Sequence, residues 1–99
     1  MHVTGVMHEL ERYFPGDEAW AAFVAVHAPG WAAYPHQDAL VTALGGHEDL
    51  ALVLRALVGP GVMAWIDRSV PALDGLTPRI CAGSPVGLMR LRSMLMRMP

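Results

Sequence analysis

Residues 59–64, GPGVMA, match the spacing of the glycine-rich fingerprint that binds the pyrophosphate of a dinucleotide. That fingerprint needs a strand before the turn and free backbone N–H groups at the start of the following helix. Here the residues before Gly59 have a helical apolar period, and Pro60 has no backbone N–H. The 35 residues after Ala64 are too few for the rest of a doubly wound sheet. The segment therefore predicts a turn between two helices, and we expect no cofactor.

Two other residue patterns could bind metals. Neither His8 nor His47, each followed by glutamate, has the second histidine four residues later that a zinc-protease helix requires. Met94, Met96 and Met98 have the soft thioether sulfur that Cu(I) prefers. Alternate residues of a helix point about 200° apart, so these three cannot converge on one ion. We expect no metal site.

Nucleophilic catalysis requires a base beside a serine or cysteine. Ser69, Ser84, Ser93 and Cys81 have no adjacent histidine or acid. The sequence therefore predicts a protein that is not an enzyme. Cys81 fits a small buried residue on a short helix that follows Thr77.

The composition favours an interaction protein. Of the 99 residues, 54% are hydrophobic and only 16% are charged, whereas soluble domains contain about 25% charged residues. A chain this short buries only about two-thirds of its unfolded surface. We therefore expect part of the apolar surface to face another protein.

A membrane or an extracellular compartment would be other destinations for so apolar a chain. The most apolar stretch, 19–34, is interrupted by His27, Pro29 and Gly30, so no transmembrane helix is expected. No secretory signal is recognisable at the N-terminus, and the single Cys81 fits a reducing compartment. These features predict a cytoplasmic protein.

The charges are unevenly distributed. The net charge is −2, and we expect no nucleic-acid binding by this chain alone. All seven cations are arginines, and Arg90, Arg92 and Arg97 lie in the last ten residues. A basic C-terminal end on an otherwise acidic chain predicts that this end binds an acidic or polar surface.

The apolar residues recur with a helical period, so we predict an all-α fold, a small bundle of short helices closed by a C-terminal amphipathic helix. Proline and glycine separate the segments, which begin near Asp17, Gln37, Glu48 and Val62. Two further helices should begin after hydroxyl caps that precede a proline. These caps are Thr77 and Ser84, and the second helix should extend over 85–98.

The last predicted helix is apolar on more than one face. Leu88, Leu91, Leu95 and Met98 fall within one arc about 80° wide, which suits a core-facing stripe. Met89 and Met96 fall together about 100° further round. They either pack under a loop or form a second, arginine-flanked contact surface.

Residues 49–99 resemble the toxin-binding domain of the Xre/MbcA/ParS antitoxin family. The resemblance is carried by an apolar helix ending in RALVG (55–59), by AWI (64–66), by PALDGLTP (71–78), and by a terminal amphipathic helix. The resemblance implies a structural role for the following residues of the family motif: Trp65, Pro71, Leu73, Gly75, Pro78, Gly87, Leu91 and Leu95. Residues 1–48 form a helical N-terminal segment of unknown role, without a recognisable helix-turn-helix.

The resemblance implies a homodimeric antitoxin whose partner is a RES-type toxin that acts on NAD. It implies that the C-terminal residues close off the toxin's active site. With the composition, it predicts partner contacts by Met89, Arg90, Arg92, Met96, Arg97, Met98 and Pro99. A chain ending at Ser93 should then stay folded but lose its partner.

Two alternatives remain open. The chain is a homodimeric structural module without a toxin, which uses its surplus apolar face for self-association. Otherwise it is a small enzyme or ligand-binding protein that gathers at least two of His27, His36 and His47 in a pocket near Trp31 and Tyr34.

Overall fold

The computed structural model describes residues 14–98, and no β-strand occurs among them. Within these residues, six α-helices are joined by turns and by two single-turn 3-10 helices. The α-helices are α1 (Asp17–His27), α2 (Gln37–Ala43), α3 (Glu48–Val58), α4 (Val62–Trp65), α5 (Pro78–Cys81) and α6 (Pro85–Met96), and the 3-10 helices are Trp31–Ala33 and Pro71–Leu73. The predicted all-α fold is confirmed.

The helices end close to the proline and glycine residues that separate the segments in the sequence. α1 begins with two acidic residues in its first turn, whose negative charges interact favourably with the positive end of the helix dipole. It ends just before Pro29. α3 ends at Gly59, whose φ of 88° is easy only for glycine and whose N–H donates to the Arg55 carbonyl at 3.0 Å. The GPGVMA segment is therefore a turn between α3 and α4, and a helix precedes it.

α3 is the central helix, because it packs against α1, α2 and α4. Its buried face carries Leu50, Val53 and Leu54. The described part of segment 1–48 contributes Trp20 and Leu40 to the same core as segment 49–99. The two segments pack together around α3. The division of the chain at residue 48 therefore stays a prediction about the functions of the two segments.

α6 closes the bundle. It packs against α1, α5 and the 3-10 helix Pro71–Leu73. It ends at Met96 and not at the predicted Met98, and the chain continues in a looser turn through Arg97.

Candidate functional site at the C-terminal surface

The segment before α5 is a closed turn that anchors one leucine. The Val70 N–H donates to the Leu76 carbonyl, and the Val70 carbonyl accepts from the Gly75 N–H, both at 3.0 Å. Asp74 and Gly75 both have positive φ, 59° and 82°, a conformation that aspartate tolerates and glycine adopts freely. The turn places Leu73 in the core with no exposed surface.

Hydroxyl caps begin the two helices that follow. The Thr77 Oγ1 accepts from the Ile80 N–H at 3.1 Å, and the Ser84 Oγ accepts from the Gly87 N–H at 3.0 Å. Each cap is followed by proline at the first helical position, where the missing N–H costs no hydrogen bond. The predicted starts of α5 and α6 are confirmed.

Gly87 brings α5 and α6 into close contact. A Cβ atom at this position would lie 2.4 Å from the Cys81 carbonyl oxygen and 2.9 Å from the Cys81 Cα. Both are backbone atoms, which cannot move aside as a side chain can. The need for glycine here is therefore steric.

The other residues that the resemblance marks as structural are divided between core and surface. Leu91, Leu95 and Pro78 are buried. Trp65 is half-buried and packs against the core, whereas Pro71 is exposed in the 3-10 turn.

Exposed apolar side chains are concentrated after residue 75. Among the described residues, six large hydrophobic side chains are exposed, and five of them lie in the last quarter of the chain. We call these five the C-terminal surface: Leu76, Ile80, Val86, Met89 and Met98. Ile80 is the most exposed of the five, at 58%. The sixth, Val26, lies on α1.

The methionines of α6 differ in burial. Met94 is buried, and Met96 is partly buried against the core, although it was predicted to contact a partner. Met89 and Met98 are exposed, at 37% and 39%. The prediction that Met98 belongs to the core-facing stripe is therefore wrong. α6 ends two residues before Met98, and the stripe ends there too.

The structure argues against the expectation that a chain ending at Ser93 stays folded. That truncation would remove Met94 and Leu95, both of which belong to the hydrophobic core. Loss of a fully buried leucine alone costs about 2–5 kcal/mol, a large part of the stability of a small domain.

Arg92 lies inside the fold. Its guanidinium donates to the Asp49 Oδ2 at 3.1 Å and stacks over the Trp20 ring at 5.1 Å from the centroid. The Trp20 indole N–H donates to the same carboxylate oxygen at 2.8 Å. This group, which we call the Asp49 cluster, connects α1, α3 and α6. A partner contact by Arg92 would have to compete with it.

The remaining predicted contact residues flank the C-terminal surface. Arg90 is half-buried, and Arg97 is exposed just after α6. Pro99 lies outside the described residues, as do residues 1–13, which include His8.

Groups with catalytic potential are scattered. Burial raises the pKa of the Cys81 thiol, and the charge of Arg90 lowers it in part, so the thiol is protonated and unreactive at neutral pH. Within residues 14–98 no three histidine, cysteine, aspartate or glutamate side chains group as metal ligands. The small pocket beside Trp31 contains His27 but neither His36 nor His47.

Sequence reasoning missed Asp49 and three members of the C-terminal surface. Asp49 stands in the first turn of α3, but its long-range partners are 29 and 43 residues away. Leu76 and Ile80 stand in short segments without a clear period, and Val86 stands in the first turn of α6. For Ile80 and Val86, an apolar residue just after a cap was the only available signal.

No described helix is long and apolar enough to cross a membrane. No family model, curated protein or solved structure matches the chain.

Proposed function

We propose that this chain is an antitoxin-like module that captures a partner protein with its C-terminal surface and inhibits it. The observation that carries the proposal is the concentration of exposed apolar side chains on α5, α6 and the residues beside them. Apolar side chains grouped in this way are typical of protein-binding sites, and methionine and arginine are enriched in the centres of interfaces.

The surface is supported by rigid structure. Both helices that carry the surface begin with a proline that follows a hydroxyl N-cap, and Gly87 packs α6 directly on the backbone of α5. Ile80, Val86 and Met89 are therefore held by elements that do not need to fold on binding. Less conformational entropy is lost when a preformed surface binds its partner.

The resemblance of residues 49–99 supplies the class of partner, a RES-type toxin that acts on NAD. In this proposal the residues after α6 enter the toxin's active site. Arg97 and Met98 are exposed at that end. An arginine pairs with acidic groups through two parallel hydrogen bonds, and a methionine fills irregular pockets.

The test searches the genes beside this one for a RES-type toxin and mixes that toxin with the full chain, with NAD consumption as the readout. We expect the chain to inhibit the toxin at stoichiometric concentration. Met89→Asp and Met98→Asp should each weaken inhibition by about tenfold or more, since a buried unpaired charge costs at least about 1.4 kcal/mol. Val26→Asp is the matched control, because Val26 is exposed but lies on α1.

A shortened chain that ends at Met96 separates capture from closure of the toxin's site. It keeps the whole of α6 and should remain folded. We expect it to bind the toxin more weakly and to leave NAD consumption largely uninhibited. Equal inhibition by the shortened and full chains would refute a role for the last residues.

Light scattering on the same variants addresses self-association. If Met89→Asp converts a dimer to a monomer and inhibition is unchanged, the surface serves only self-association. Failure of the full chain to bind any neighbouring-gene toxin would reject the antitoxin proposal.

A further inference from the structure

Arg55 is a half-buried cation in the middle of the fold. It lies on α3, and its guanidinium stacks on the buried Tyr34 ring, 4.8 Å from the centroid. Its Nε is buried and has no hydrogen-bond partner in the described structure. A buried N–H without an acceptor costs about 1–3 kcal/mol, and such groups occur in functional sites.

Arg79 and Arg92 each have a carboxylate partner within residues 14–98, although the Arg92 Nε, like the Arg55 Nε, is buried without a hydrogen-bond partner there. Arg79 donates to Asp67, and Arg92 donates to Asp49. For Arg55, no carboxylate partner is found among residues 14–98. Glu48 stands seven residues earlier on α3, about 10.5 Å along the axis, and its carboxylate accepts instead from the Trp31 indole N–H at 3.1 Å.

A pocket of about 130 Å³ lies beside Arg55, between α3 and the loop that follows α1. Arg55, His27, Trp31 and Leu52 are among the residues that line it. The volume corresponds to roughly four water molecules at about 30 Å³ each, which suits a group of the size of acetate or phosphate. Among residues 14–98, no acidic side chain lines the pocket.

His27 stands at the same pocket in a defined orientation. Its Nδ1 lies 2.8 Å from the Phe23 carbonyl oxygen, and its ring packs against the Phe23 ring. A carbonyl only accepts, so Nδ1 carries the proton and donates. Nε2 is the nitrogen that does not take part in this bond.

We propose that this pocket binds a small oxyanion, a carboxylate or phosphate group, through the Arg55 guanidinium. The planar fork of arginine matches both anions by two parallel hydrogen bonds. The aromatic and aliphatic walls reduce competition from water for those bonds. The site contains none of the residues of the C-terminal surface, so it is independent of the proposed partner binding.

The test titrates the ¹⁵N-labelled full chain with sodium acetate and, separately, with inorganic phosphate, at a constant ionic strength held by chloride. The chain has three tryptophans, whose indole N–H signals are separate probes. We expect a saturable shift of the Trp31 indole signal with at least one anion, while those of Trp20 and Trp65 show no saturable shift. The anion that gives the saturable shift shows whether the pocket binds a carboxylate or a phosphate group.

Two Arg55 variants and one control complete the test. Arg55→Gln should abolish saturation, and Arg55→Lys should weaken it by about tenfold, because lysine keeps the charge and loses the fork. The Lys variant also serves if the Gln variant fails to fold. Arg68→Gln removes an exposed arginine outside the pocket and should change nothing. Saturation with neither anion, or unchanged saturation in the folded Arg55 variants, would overturn the proposal.

Discussion

Positions on the same face of α6 have very different surroundings in its two halves. Val86 and Ser93 are seven residues apart and so lie about 20° from each other on the helix, yet Val86 is 43% exposed and Ser93 is 1% exposed. Met89 and Met96 form a second such pair, in which the first is exposed and the second is partly buried against the core. Burial in α6 therefore depends on position along the helix as well as on its face.

The difference has a structural cause. The second half, with Leu91, Met94 and Leu95, belongs to the main core, and α1 approaches it through Trp20. In the first half, Gly87 packs against the backbone of the single turn of α5. An anchored half and an open half on one helix let a small domain remain folded while it presents apolar side chains.

The largest expected effect comes from truncating one leucine in the anchored half. Leu95→Ala should lower the free energy of unfolding by about 2–5 kcal/mol, because it leaves a cavity in the core. Met89→Ala, in the open half, should change it by less than about 0.5 kcal/mol. Urea unfolding measures both, and similar losses would show that the two halves are equally buried.

Gly87→Ala tests how closely the open half is attached to α5. The new Cβ would meet backbone atoms of Cys81, so we expect a loss of about 1–3 kcal/mol despite the better helix propensity of alanine. Gly61→Ala is the control, because a Cβ there meets nothing within 4 Å and φ is −87°. A neutral Gly87 variant would mean that the two helices can separate at little cost.

The Asp49 cluster tests whether Arg92 belongs to the fold or to a binding surface. Asp49→Asn keeps an acceptor for the Trp20 indole and removes the charge that pairs with Arg92. We expect a loss of about 1 kcal/mol, since the carboxylate is partly exposed and water screens the pair. A double-mutant cycle with Arg92→Met should show a coupling of similar size. Coupling below about 0.3 kcal/mol would make Arg92 available to a partner.

The smallest effect concerns an exposed pair beside α5. The hydrogen bond from Arg79 holds the pKa of Asp67 below its usual value of 3.8, with desolvation opposing and the charge of Arg79 assisting. A carboxylate with a lowered pKa stabilises the fold above its usual pKa, and that stability is lost as pH falls through the lowered value. Asp67→Asn should therefore reduce the melting temperature slightly at neutral pH and flatten its decline in acid. Asp74 forms no ion pair within residues 14–98, so Asp74→Asn should leave the decline unchanged.

Local chemistry made the helix starts predictable. Thr77 and Ser84 were identified from a hydroxyl followed by proline, and Gly59 from its place after an apolar helix. These signals act within a few residues, so the chain around them is sufficient to read them. The core-facing positions Leu91 and Leu95 followed in the same way from the helical period.

The candidate site was only partly predictable. Met89 was expected to be exposed and is, whereas Met96 and Arg92 are held largely inside. The period of a helix identifies faces, but it does not tell which end of a face another helix covers. Leu76, Ile80 and Val86 were missed for the same reason, because their exposure depends on what fails to cover them.

The sequence by itself determined where the helices begin and which class of fold they form, because caps, prolines and glycines act locally on the backbone. Only the tertiary structure decided which apolar side chains remain outside and which arginines acquire partners. Arg55, Arg79 and Arg92 are chemically identical, and their surroundings differ because contacts between residues distant in the chain depend on how the helices pack.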